Sequence, residues 1–174
     1  MEKINNSHIY NWHAVYVKSR SEKKAQKELQ FKEIESYLPL QLRLRQWSDR
    51  KKWVEMPLIP GYLFVRISRK EYDPVLQSNF IVSYVRFEGI AAVIPDNQID
   101  YLKLMLKQDN LDIEITRETF EPGQMIEVVS GPLIGLRAKL VRIKGKDKVA
   151  IELEQLGYSA LIEISAGDIR IVEG

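Results

Sequence analysis

The chain has 174 residues, of which 45% are hydrophobic and 29% charged, with no cysteine and two histidines. That balance fits one or two small folded domains rather than a disordered chain, and it excludes disulfides and thiolate metal sites. The net charge of +2 hides an asymmetry: residues 1–110 carry 18 Lys+Arg against 13 Asp+Glu, whereas residues 111–174 carry 8 against 11. A basic first half and an acidic second half are read either as a nucleic-acid-facing module joined to a module with another partner, or as chance scatter over two solvated surfaces.

Trp12 to Lys18 alternates as a first strand, with Trp12, Ala14 and Tyr16 on one face and His13, Val15 and Val17 on the other. Ser21 suits a helix N-cap, and Glu22 to Ser36 reads as a helix with a loose apolar stripe of Ala25, Leu29 and Ile34 near Phe31. Leu40, Leu42 and Leu44 alternate with Gln41, Arg43 and Arg45 as a half-exposed strand. Gln46 to Lys52 forms a polar hairpin tip, and Trp53 begins the return.

The return leads into Met56-Pro57-Leu58-Ile59-Pro60-Gly61-Tyr62-Leu63-Phe64-Val65-Arg66-Ile67, the stretch that organises the first half. Proline has no N–H to give to a ladder, so Pro57 and Pro60 suit a strand entrance, and Gly61 permits a turn. From Tyr62 to Ile67 the residues fit a buried strand, with Tyr62, Phe64 and Arg66 on one face and Leu63, Val65 and Ile67 on the other. Both faces need cover; a helix of this chain serves one, and the other is only partly covered from within. Ile59, just before Pro60, is expected at the rim of that second face.

Ser68 to Ser78 reads as a short helix, Phe80 to Phe87 as a fourth strand, Ala91 to Ile94 as a short extended piece, and a helix opens at Pro95-Asp96-Asn97 with Ile99, Leu102 and Leu106 on its apolar face and Met105 as a further candidate. Gln108 to Glu118 is acidic and patternless, a linker in which Ile113 and Ile115 could still pair as a strand edge. From Phe120 the pattern is all-β: Met125–Val129, 138–143, 148–153, 159–164 and 169–172, spaced by glycine-bearing turns, suit a small barrel. The expected organisation is an α+β domain over 1–107, a linker over 108–118 and an all-β domain over 119–174.

Chemistry-bearing patterns are sparse. Two histidines, His8 and His13, are too few for a metal or nucleophile centre, and Gly131-Pro132-Leu133-Ile134-Gly135 lacks the Lys-Ser/Thr of a P-loop. No apolar run approaches the roughly 20 residues of a membrane span, and residues 1–11 lack a signal-peptide core, so a cytoplasmic, non-enzymatic protein without a cofactor is expected. The aromatic set Trp12, Tyr16, Tyr62 and Phe64 reads either as ordinary core or as a partly open face that receives a partner helix. The cations Arg43, Arg45, Arg50, Lys51 and Lys52, interleaved with Trp47 and Trp53, read either as a solvated hairpin tip or as an arm that contacts phosphates while an aromatic stacks on a base.

The string WHAVYVKSRSEKKAQ … RQWSDRKKWVEMPLIPGYLFVRIS … VSYVRF … AAVIPDNQI resembles the N-terminal domain of NusG-type transcription elongation factors. Within that family it is most similar to specialised paralogues, the RfaH-like proteins and the UpxY antiterminators of Bacteroides capsule loci. PGQMIEVVSGPLIGLRAKLVRI is similar to a KOW domain. The resemblance implies an N-terminal antiparallel sheet flanked by helices, a C-terminal KOW-type barrel and a monomer. It implies that Trp12, Tyr16, Ile59, Tyr62 and Phe64 meet the clamp helices of the RNA polymerase largest subunit, with Ile59 replacing the phenylalanine of many relatives. It further implies that Lys18, Arg20, Lys23, Arg50, Lys51 and Lys52 lie towards non-template DNA of the transcription bubble, and that Gln77, Ser78 and Asn79 occupy a second polymerase-facing end. Gly131, Pro132, Leu133, Ile134 and Gly135 would form the loop that relatives use against a ribosomal protein, although Leu133 and Ile134 could instead fold back into the barrel. The implied activity is suppression of pausing and termination at specific operons such as polysaccharide loci. The alternative is a general RNA- or ribosome-binding protein without polymerase contact.

Overall fold

The computed structural model describes residues 9–108, 111–118, 120, 123–143 and 145–172. The chain divides into two compact units, residues 1–96 and 97–174. In the first, β1 (Asn11–Val17), α1 (Glu22–Phe31), β2 (Glu35–Tyr37), β3 (Leu40–Gln46), β4 (Lys51–Pro57), β5 (Tyr62–Ile67), α2 (Tyr72–Leu76), β6 (Ile81–Tyr84), β7 (Arg86–Phe87), β8 (Ile90–Ala91) and β9 (Val93–Ile94) follow in order. The main sheet runs β2-β5-β1-β6, with β9 also on β1, and every pairing is antiparallel.

The alternation read from the sequence sets the layers. Val15 and Val17 of β1 and Leu63, Val65 and Ile67 of β5 form one core with Ala25 and Leu29 of α1 and Val75 of α2. Burying such side chains contributes about 1.5–3 kcal/mol each, which makes this the dominant stabilising layer of the unit. β3 and β4 form a separate two-stranded hairpin, closed at its tip by Trp47 N–H to Arg50 C=O at 2.8 Å.

Three local readings are corrected by the structure. The first helix stops at Phe31 instead of Ser36, because Glu33 takes a left-handed φ of 58° and turns the chain into β2. Ile34 is buried beyond the helix end, bonding its N–H to Leu29 C=O at 2.9 Å, while Phe31 is 91% exposed. The strand expected over 80–87 breaks at Val85, whose N–H goes to Ala14 C=O, and the chain continues as the small β7–β8 hairpin.

In the second unit, α3 (Asp96–Leu106), which begins at the unit boundary, buries Ile99, Leu102 and Met105. Of the two candidates Met105 and Leu106, Met105 is buried and Leu106 half-buried, since a spacing of three and three keeps Met105 in line with Ile99 and Leu102. Then β10 (Glu114–Thr116), β11 (Met125–Val128), β12 (Arg137–Ile143), β13 (Lys146–Leu153), β14 (Tyr158–Glu163) and β15 (Ile169–Ile171) pair antiparallel in the order β10-β14-β13-β12-β11-β15. All five expected strands are present. The sixth, β10, comes from the stretch read as linker. No helix among the described residues is long and apolar enough to cross a membrane.

Candidate functional site

β1 and β5 run side by side in a register that places Tyr16 opposite Tyr62, Ala14 opposite Phe64 and Trp12 opposite Arg66. Residues directly opposite in a sheet share a face, so the expected aromatic set does lie on one surface. Its members differ in burial. Phe64 is fully buried, with Tyr37 of β2 stacked at a ring distance of 6.4 Å, and Trp12 is 5% exposed. Ile59, expected at a rim, is 2% exposed and belongs to the interior. Tyr16 and Tyr62 remain accessible, Tyr16 at 40%, with their rings 5.1 Å apart and tilted by 48°. The face therefore consists of a closed aromatic floor and an open two-tyrosine end.

The turn that delivers Tyr62 is held from two sides. Gly61 has φ 83°, which a side chain would strain. Its C=O accepts from Val17 N–H at 2.8 Å, and its N–H donates to the Glu22 carboxylate at 2.9 Å. Glu22, the first residue of α1, is only 7% exposed. Sequence reasoning passed over it as one more charge at a helix start. The only available signal was its acidic identity in the first turn, because its partner lies 39 residues away.

The expected cations divide by what they already bind. The Lys18 ammonium donates to Asn79 C=O at 2.6 Å, tying the end of β1 to the segment after α2. Lys23 pairs with Glu55 at 3.2 Å, and Arg20 is exposed with a left-handed φ of 58°. Arg50, Lys51 and Lys52 are exposed at the hairpin end, with Arg50 lying 5.9 Å over the Trp47 ring. Lys18 and Lys23 are thus partly spent on the fold, whereas among the described residues Arg50, Lys51 and Lys52 have no carboxylate within ion-pair distance. Ser21 stands at the N-cap position of α1 without a side-chain cap bond.

Burial pushes the hydroxyls of Tyr37 on β2 and Tyr84 on β6 well above the usual range, and it acts on His13 of β1 in the opposite direction. The His13 Nδ1 lies 2.9 Å from Ala92 C=O, which can only accept, so Nδ1 carries the proton. Burial lowers its pKa below the usual value, partly offset by that hydrogen bond. The ring meets Tyr84 edge-on at 5.9 Å, and Tyr84 stacks on Tyr72 at 4.1 Å, a packing arrangement rather than a reactive one. Among the described residues no group of three or more His, Cys, Asp or Glu is placed to hold a metal ion.

In the second unit the Gly131–Gly135 turn joins β11 to β12. Gly135 N–H bonds back to Val128 C=O at 2.8 Å, and Ser130 hydrogen-bonds Asp168. Leu133 is 6% exposed and folds inward, while Ile134 is 63% exposed at the loop surface, with Gly131 and Pro132 exposed beside it. Arg170 of β15 pairs with Glu127 of β11 at 2.7 Å and holds that carboxyl below its ordinary range.

A family profile described as transcription termination factor nusG matches residues 10–103, the whole of the main sheet and most of α3. The chain belongs to the NusG family. It is a transcription elongation factor of that family: it is similar to the transcription elongation factor Spt5 of Acidianus ambivalens, 26% identical over 67% of this chain and 70% of that protein. It is also similar to Spt5 of Methanocaldococcus jannaschii, 36% identical over 56 residues, which are 32% of this chain and 38% of that one. In fold it is similar to NusG of Thermotoga maritima, solved in a study of its domain interaction, with a TM-score of 0.52 at 17% identity over 96% of this chain and 99% of that one. The NusG N-terminal sheet and the KOW-like β unit thus stand as read from the sequence, and the α+β class with them.

Proposed function

We propose that this NusG-family chain binds RNA polymerase at the clamp helices of the largest subunit through the Tyr16–Tyr62 end of its main sheet. The observation that carries the reading is the contrast on one face: Phe64 and Trp12 are sealed, yet beside them an exposed Tyr16 and a half-buried Tyr62 form a ring pair. Amphipathic aromatics of this kind are where interface energy concentrates. Trp12, Ile59 and Phe64 then shape the pocket from below, and contact is made by Tyr16 and Tyr62. Binding that favours a closed clamp shifts the population away from paused states, so pausing and termination fall without any chemical step. The non-template DNA strand of the bubble is the proposed neighbour of Lys18, Arg20, Lys23, Arg50, Lys51 and Lys52, and a ribosomal protein the proposed partner of the loop around Ile134. Service to particular operons such as polysaccharide loci rests on the resemblance to the RfaH-like and UpxY paralogues.

The test measures melting temperature and polymerase affinity on the same Tyr62→Ala and Tyr16→Ala proteins. Both should remain folded. Affinity should fall by about thirtyfold or more, the equivalent of about 2 kcal/mol for a hot spot. Folded variants that bind polymerase like the parent would end the clamp-pocket reading and favour the general RNA- or ribosome-binding alternative.

A further inference from the structure

Beyond its base, where Leu40 packs against the main core, the β3–β4 hairpin lies outside the hydrophobic layer of its unit. Every residue from Leu42 to Trp53 is exposed, including Leu44 at 50%, Trp47 at 43% and Trp53 at 62%. Tryptophans exposed on the outer part of a two-stranded ribbon contribute little to folding and need another explanation.

The register sorts the side chains by face. Leu44 lies opposite Trp53, Leu42 opposite Glu55 and Gln46 opposite Lys51, so these share one side. Arg45 lies directly opposite Lys52 on the other side, with Arg43 opposite Val54 on the next rung. Like charges facing each other across a strand pair are destabilising. No carboxylate relieves them: among the described residues none lies within ion-pair distance of Arg45, Arg50, Lys51 or Lys52, and Glu55 is taken by Lys23. At the tip, Trp47 and Arg50 form a cation–π pair, joining the two sides. The distal hairpin is thus bipolar, with an unrelieved cationic rung on one face and a tryptophan flanked by leucines on the other.

We propose that this hairpin is a base-stacking finger for single-stranded nucleic acid, in which Trp53 and Trp47 stack on bases while Arg45, Lys52 and Arg50 neutralise phosphates. The proposal deepens the nucleic-acid part of the reading above and requires no polymerase. A single strand offers two unlike surfaces, charged phosphates and unpaired aromatic bases, and the hairpin presents a counterpart to each. A duplex hides its base faces in its own stack, so it can use only the cations. The two side-chain sets therefore have separable roles: cations give salt-dependent affinity for any nucleic acid through counterion release, and tryptophans give a largely salt-independent preference for single strands.

The test uses the full chain without polymerase and fluorescence anisotropy of labelled oligonucleotides of about 15 nucleotides, a length matched to common single-strand sites. The probes are oligo-dT, oligo-rU and a DNA duplex of equal length. Trp53→Ala should weaken binding to the single strands by about tenfold and leave the duplex within about twofold, since one stacked base is worth on the order of one decade or more. Lys52→Ala should weaken all probes and lower the log–log salt slope by about one. Tighter binding of dT or of rU supports the proposal and identifies DNA or RNA as the source. Trp53→Ala and Trp47→Ala proteins that bind single strands like the parent, or that lose single-strand and duplex binding equally, would overturn it. Either result leaves the Tyr16–Tyr62 interface standing, because that face is tested with polymerase and on other residues.

Discussion

At the scale of single residues, the clearest physical lever in the main sheet is His13. Its protonated form is disfavoured by burial, so the folded-state pKa lies below the unfolded value of about 6.5. Between those two values the unfolded chain binds more protons than the folded one. Stability therefore rises with pH through that window, is fully present above about 6.5, and is lost as pH falls towards the lowered pKa. His13→Asn keeps an amide N–H able to reach Ala92 C=O but cannot titrate. Urea unfolding at pH 7.5 and pH 5 should show a larger loss on acidification in the parent than in His13→Asn. Identical pH profiles would mean that the ring remains solvated in the folded state. The histidine's place in a sheet was legible from the alternation around it. Its tautomer was not, because Ala92 lies 79 residues away in the chain.

At the scale of elements, strands were legible where the period of two was supported by composition, and helix ends were not. β5 alternates Tyr, Leu, Phe, Val, Arg, Ile, and both the core and the aromatic face follow from that parity. The end of α1 escaped because the residue that breaks it is Glu33 in a left-handed conformation, with no glycine to announce it. The hairpin cations were legible as a cluster, but their division into two faces required the register that sets Arg45 against Lys52. The Glu22–Gly61 bond joins two elements in the same hidden way. Glu22→Ala leaves the Gly61 N–H without its acceptor, at a cost of about 1–3 kcal/mol, whereas Glu22→Gln retains a carbonyl acceptor at the same reach. Chemical denaturation should therefore place the Gln variant near the parent and the Ala variant well below it. Polymerase binding should follow the same order, because that bond fixes the turn that presents Tyr62. Equal stability of all three proteins would show that water replaces the carboxylate at no cost.

At the scale of the whole molecule, the proposed division into domains at 1–107, 108–118 and 119–174 meets one clear structural demand. Three residues of the linker stretch form β10, with Glu114 opposite Leu161, Ile115 opposite Ala160 and Thr116 opposite Ser159. Glu114 also pairs with Lys148 of β13 at 2.5 Å, and Ile113 just before it is 1% exposed. The element was hard to read because it is three residues long and flanked by acids, so its only signal was Ile113 and Ile115 at a spacing of two. Without β10, β14 becomes an edge strand with a row of unpaired backbone groups. A fragment that starts at residue 119 should therefore fold less stably than one that starts at residue 111. The deficit should be about 2 kcal/mol or more, since it removes three paired residues and a large aliphatic side chain. Urea midpoints measured on the two fragments decide the matter. Coincident midpoints would put β10 outside the cooperative unit and restore 108–118 as a linker. A lower midpoint for the shorter fragment would place the start of the KOW-like domain at or before Ile113. Any exchange of the C-terminal domain between partners would then carry β10 with it, as the first strand in the order β10-β14-β13-β12-β11-β15.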